Sequence, residues 1–190
     1  MIDKWRVTTA PALEPVTLTE MKLDMRVDCS DDDALITSLI VAARQACEDY
    51  EHRAYVTQTI TAKLDYLPTK IILPKPRLQS VTSVTYTDSG GDVQTLASDL
   101  YQVSTYREPG EVVIAYNANY PGNRDYTDSV TIVYKAGYGD AASNVPDITK
   151  TAIKLMCAHL YDNRSAVTDT QMYELPFGVK SLLNARAWTV

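Results

Sequence analysis

The sequence predicts an α+β fold: a small helical core formed by N-terminal and C-terminal helices, with an inserted antiparallel β-domain between them. Three observations carry this. Residues Ser30 to Glu51 place Leu35, Ile36, Leu39, Ile40, Ala43, Cys47 and Tyr50 at helical spacing, with no Pro or Gly between. A second such stripe, Ile148, Ala152, Leu155, Met156, His159 and Leu160, lies far along the chain at Pro146 to Asn163. Between the two, short runs rich in Val, Thr, Ile and Tyr alternate with turn residues. A long apolar stripe must be buried, and each helix is the only partner of comparable length for the other.

The expected organisation is therefore an extended arm at 1–15, a helical core from 16–54 and 144–190, and a β-rich domain at 55–143. Pro11 and Pro15 and a lack of periodicity mark the arm, a segment suited to docking on a neighbour. Thr17-Leu18-Thr19-Glu20 is a capping box that starts a short helix to about Met25. Ser30 is a good N-cap for the long helix, and Asp31, Asp32 and Asp33 suit the positive end of its dipole. After it, His52 is placed to take a left-handed cap.

The β-rich section reads as strands at Val56 to Leu64, Ile71 to Leu73, Val81 to Tyr86, Val93 to Leu96, Tyr101 to Ser104, Glu111 to Tyr116 and Val130 to Tyr134. Asp88-Ser89-Gly90-Gly91 and Pro109-Gly110 are turns between them. Strands this short and closely spaced favour antiparallel pairing over βαβ units. Gly137 to Asp140 lacks the Gly-Lys-Ser/Thr ending of a phosphate loop and is read as a turn. Past Asn163 a polar loop leads to the apolar Leu175-Pro176-Phe177-Gly178-Val179 and a last short helix within Val179 to Ala187.

Composition narrows the function. A net charge of −6 over 190 residues argues against gripping nucleic acid through its phosphates, which requires clustered Lys and Arg. Three widely spaced cysteines, Cys29, Cys47 and Cys157, form no C-x-x-C pair, and with His52 and His159 alone they give no zinc site. Cys47 and Cys157 fall on apolar helical faces and read as buried thiols, in keeping with a reducing compartment. No apolar run approaches the ~18 residues that span a bilayer. Nucleophile elbows, dinucleotide fingerprints and singled-out carboxylate pairs are missing, and His159 reads as a structural, hydrogen-bonded histidine. No enzyme activity, cofactor or metal is expected.

Several fragments, in order, carry a likeness. They are Glu14-Pro15-Val16-Thr17-Leu18-Thr19-Glu20, Asp32-Asp33-Ala34-Leu35-Ile36, Thr57-Gln58-Thr59 and Pro76-Arg77-Leu78-Gln79-Ser80-Val81-Thr82-Ser83-Val84. Ala136-Gly137-Tyr138-Gly139-Asp140, Val145-Pro146-Asp147-Ile148, Tyr161-Asp162-Asn163-Arg164 and Leu175-Pro176-Phe177-Gly178-Val179 follow. The set resembles the head–tail connector (adaptor, head-completion) proteins of tailed bacteriophages and prophages. His52 departs from it where a glycine would follow the long helix.

The resemblance implies a virion protein of the head–tail junction, made in the host cytoplasm and assembled as a closed ring of about a dozen copies. Its partners would be itself, the portal protein above, tail-completion or stopper proteins below, and DNA passing through the channel without sequence-specific binding. For the contact with portal or neighbour, the segment from Leu175 to Trp188 is the candidate: Leu175, Pro176, Phe177, Val179, Leu182, Leu183 and Trp188. It is apolar and follows a polar loop. The alternative is that Phe177, Leu182 and Leu183 cap the core of their own subunit. A second functional reading is a carbohydrate- or receptor-binding β-domain, prompted by Tyr86, Tyr101, Tyr106, Tyr116, Tyr120 and Tyr126.

Overall fold

The computed structural model describes residue 2 and residues 4–119, 121–122, 126–163 and 176–184. In chain order the elements are β1 (Trp5–Thr9), α1 (Leu18–Met25), α2 (Asp33–Tyr50), β2 (Gln58–Leu64), β3 (Lys70–Ile72), β4 (Leu78–Thr87) and β5 (Val93–Thr95). Then come β6 (Tyr101–Ser104), β7 (Glu111–Ile114), β8 (Val130–Ala136), α3 (Asp147–Asp162) and α4 (Phe177–Leu183). The α+β class holds, and every strand pair between named strands is antiparallel. The chain divides into a sheet unit, residues 1–12 and 57–138, and a helical unit, residues 13–56 and 139–190.

In the helical unit α2 packs on α3, and α3 also receives α4. The buried residues of α2 are Ile36, Ile40, Ala43, Arg44, Cys47 and Glu48, a stripe at i, i+4, i+7 and i+11. On α3 the buried side is Thr149, Ala152, Ile153, Met156 and Cys157, and this corrects the sequence reading. Ile148 and Leu155 are exposed, because Thr149 joins the buried seam and rotates the helix away from the apolar count.

The capping box forms as expected. Glu20 N donates to Thr17 Oγ1 at 3.2 Å, and the Glu20 carboxylate accepts from Thr17 N at 2.8 Å. The long helix starts later than Ser30. Asp32 is its N-cap and makes no side-chain capping bond. The acids there tie helices together: Lys22 Nζ donates to Asp33 Oδ1 at 2.6 Å, and Tyr161 Oη donates to Asp32 Oδ2 at 2.6 Å.

At the other end of α2 the chain makes a Schellman turn. Arg53 N bonds Glu48 O and His52 N bonds Asp49 O, with His52 left-handed at φ 52°. Here a histidine occupies the position that glycine fills most easily. Arg26 repeats the motif after α1 at φ 57°, with Val27 N bonding Lys22 O.

The sheet unit holds a five-stranded sheet of order β1-β2-β8-β4-β5 and a three-stranded sheet of order β3-β7-β6. Ile60, Ala62, Val84, Val130, Ile132 and Tyr134 fill the buried face of the larger sheet. Tyr134 carries its hydroxyl inward and donates to Pro74 O at 2.6 Å, which satisfies a polar group that burial would otherwise penalise. At the turn before β7, Gly110 is required by close approach: a Cβ there would collide with the Leu78 side chain.

Residues 5–9 are extended, as the arm was expected to be, but they are not free. They pair along β2, with Trp5 opposite Ala62 and Val7 opposite Ile60. Alternating Trp, Val and Thr side chains suffice for a strand once a hydrogen-bonding edge is available.

Candidate interaction surfaces

Of the expected contact residues, Leu175 and Trp188 lie outside the described residues. Val179 and Leu183 are each 1% exposed and sit in the core of the helical unit, where α4 packs on α3. Tyr50 Oη donates to Asn184 Oδ1 at 2.5 Å, which pins the end of α4 to α2. Pro176 and Leu182 are half-buried. Phe177, at the first position of α4, is 84% exposed. The segment thus divides between a core-facing side and one large apolar side chain left in solvent.

The helical unit also holds a buried charged network. Arg44 is 3% exposed; its Nε donates to Glu14 Oε2 at 2.7 Å and its Nη1 to Glu48 Oε2 at 2.6 Å. Glu48 Oε1 in turn accepts from Tyr55 N at 2.8 Å. These bonds fasten residue 14, where the chain enters the unit, and residue 55, where it leaves, to one side of α2. Val56 also pairs with Gly139, the point of return. Burial, then the nearby charges of Glu51 and Glu48, pushes the Cys47 thiol up to about 12. Burial and Glu51 likewise push the Tyr55 hydroxyl far above its ordinary range. Such groups are poised for structure, since neither nucleophile can ionise near neutral pH. Among the described residues no three metal-ligating side chains converge. His159 does have a neighbour as expected, the Asn163 amide, 3.3 Å from its Nδ1.

Two further surfaces escaped the sequence reading. The end of α1 and the turn to α2 carry exposed Asp24, Asp28 and Asp31 and the 81% exposed Leu23; Arg26 is the base within this stretch, and Lys22 Nζ reaches in to donate to Cys29 O at 2.7 Å. The outer face of the five-stranded sheet is different in kind. None of the strands β1, β2, β4, β5 and β8 contains an Asp or Glu. Their outer face bears Arg6, Lys63 and Lys135 among threonines and serines. Register places Arg6 beside Thr61, Thr61 beside Val133, Lys63 beside Thr131 and Lys135 beside Thr59, so Thr61 lies among the three cations and the half-exposed Val133 borders them, two residues from Lys135. The signal was present in the sequence as acid-free strands, but it is invisible until pairing shows which residues share a face.

A recess of about 290 Å³ at the edge of the sheet unit is lined by Lys4, Lys63, Asp65, Tyr66 and Lys70 among others. Its charges are answered locally: Lys4 pairs with Asp65 at 2.7 Å and Lys70 with Glu111 at 2.6 Å. Tyr66, Tyr106, Tyr116 and Tyr126 are exposed in the sheet unit, while Tyr86 and Tyr101 are half-buried. No helix among the described residues is long and apolar enough to cross a membrane.

The class defined by these features is an α+β protein with one helical and one antiparallel-sheet unit, each with exposed apolar or charged surface among its described residues. Residues 15–95, which run from the capping box through β5, match the model of a family described as phage gp6-like head-tail connector protein. The resemblance to head–tail connectors is therefore carried by the sequence itself over that segment.

Solved structures extend the likeness in fold to almost the whole chain. A chain of the virion of a native gene transfer agent particle aligns with a TM-score of 0.80 at 22% identity, covering 98% of this chain and 96% of that one. A chain from the neck of the empty particle, computed with C6 symmetry, gives 0.78 at 22% identity with the same coverage. One from the neck of the native particle, computed with C12 symmetry, gives 0.70 at 22% identity and 97% coverage of both chains. Among curated proteins, none matches the sequence.

Proposed function

We propose that this protein is a structural connector of a phage-like particle, a neck component that joins head to tail. The observation that supports it is a coincidence of two kinds: the connector-family match over residues 15–95 and a full-length fold shared with chains of a particle neck. In this reading copies close head-to-tail into a ring beneath the portal. Tail-completion proteins bind its lower surface, and DNA passes through the channel.

Phe177 is the anchor toward portal, with Pro176 and Leu182 beside it. Val179 and Leu183 hold the helix that presents it. A large aromatic standing free at a helix start is the kind of residue that dominates interfaces.

Purified chain mixed with the portal of its own particle and viewed by electron microscopy tests the assembly: rings seated on portals are expected. Phe177→Ser tests the anchor. It leaves the unfolding midpoint unchanged, because the side chain is in solvent, and abolishes co-sedimentation with portal. Particles lacking the protein that still join tails would end the proposal. Four exposed tyrosines favour the second reading, a glycan-binding sheet unit; a glycan array that gives Tyr-dependent binding, with no portal binding, would select it.

A further inference from the structure

We infer that the outer face of the five-stranded sheet receives the acidic α1–α2 turn of a second copy, an interface that rests on the ring assembly proposed above. A closing ring needs two different, mutually complementary patches on each chain. This chain separates its charge accordingly. The sheet unit has nine bases and nine acids, whereas the helical unit has nine bases and fifteen acids and so carries the whole net charge of −6.

On the sheet face the geometry is that of a receiving surface. Arg6 and Lys135 are exposed and form no ion pair among the described residues, and Lys63 is only loosely held by Asp128 at 3.5 Å. Val133 supplies an apolar side chain at the border of these cations, two residues from Lys135. The turn offers the converse: Leu23 is exposed, and the exposed Asp24, Asp28 and Asp31 follow it within eight residues. An apolar side chain next to charge of opposite sign on the two sides gives an interface both adhesion and register. DNA fits the sheet face less well, since three cations, one of them partly answered, fall short of the cluster that phosphate binding uses.

Cys29 lies exposed within the turn, and Cys47 and Cys157 are buried, so the chain carries a built-in probe. A tagged C29S/V133C chain is mixed at millimolar concentration with untagged, unmodified chain and treated with a short bismaleimide. Only a contact between the turn of one copy and the sheet face of another gives a product of mixed size. That product is expected, falling about tenfold when R6E/K135E is added to the tagged chain. It is expected to recover when D28K/D31K is added to the untagged one.

Rings without the mixed product, or a product indifferent to both charge reversals, would overturn this pairing and leave the ring standing. The mixed product without rings would overturn the ring and leave the pairing. A labelled DNA duplex that binds the unmodified chain and is released by R6E/K135E, with no mixed product, would assign the face to a polyanion instead.

Discussion

The two units bury their cores with different chemistry. In the larger sheet the buried face is mostly carbon, Ile60, Ala62, Val84, Val130 and Ile132, and its polar members, Gln58, Thr87 and the Tyr134 hydroxyl that finds a carbonyl, are uncharged. In the helical unit Arg44, Glu48, Glu51 and Arg53 are buried alongside Ile36, Ile40 and Ile153. Carbon contacts tolerate small shifts, whereas a buried charge tolerates only its partner. The helical unit is thus the one in which a single side chain has most to lose.

That contrast can be broken in four ways, taken from the largest effect to the smallest. All three cysteines lie in the helical unit, so thiol reactivity reports on that unit alone. Burial pushes Cys47 up to about 12 and Cys157 up to about 11. In the native protein at mild alkaline pH one thiol, Cys29, is expected to react with a disulfide reagent. The other two should lag by about a hundredfold or more, because the thiolate is the attacking form. Three thiols reacting together would mean that the helical unit opens freely.

Arg44→Leu comes next. It removes the Arg44 charge from the buried Glu48 carboxylate and from Glu14 and is expected to cost about 3–5 kcal/mol in urea unfolding; adding Glu48→Leu should return part of that. Equal stability of the single variant and the unmodified chain would show that the network is only decorative. Third, Ile132→Ala in the sheet is expected to cost about 3 kcal/mol by leaving a cavity. In a Trp188→Phe background Trp5 reports on the sheet unit, and its fluorescence transition should shift more than the thiol-exposure transition does.

The smallest effect is at the capping box. Thr17 holds the Glu20 carboxyl below its ordinary range, first through its backbone N–H and then through its hydroxyl. A lowered carboxyl pKa stabilises the fold above the unfolded value of 4.5 and ceases to as pH falls through the folded value. Thr17→Ala should therefore cost about 1 kcal/mol at neutral pH, and the difference should shrink in acid. A cost that is the same at every pH would assign the effect to the bond that the hydroxyl accepts from Glu20 N, and not to the one it donates to the Glu20 carboxylate.

Local rules made much of the fold legible. The pairing of α2 with α3 follows from two stripes with no other partner, and the Thr17 box and the Asp88 to Gly91 turn follow from side-chain chemistry at fixed offsets. Strand β6 was legible to the residue. Misreadings occurred where tertiary partners overrule local preference. Ser30 lost the cap because Lys22 and Tyr161 draw Asp33 and Asp32 into ties between helices. Thr149 hid the buried side of α3 by being polar, and Arg44 and Glu48 were invisible as core because charge normally signals solvent.

For the candidate surfaces, the C-terminal segment was legible only as apolar. That Val179 and Leu183 face inward while Phe177 faces out is decided by α3, a partner distant in sequence. The cationic sheet face was legible only as strands without acids, since its three bases come from three separate strands that pairing alone brings together.

The order β1-β2-β8-β4-β5 puts the last strand to leave the ribosome in the middle of the sheet. Until residue 136 has been synthesised, β2 and β4 each lack the neighbour that joins them. Their backbone amides and carbonyls are then bare on the flank where β8 belongs. Translation of more than two-thirds of the chain must finish before the larger sheet can close. A stalled or prematurely terminated polypeptide therefore releases sticky strands in place of a half-built particle part.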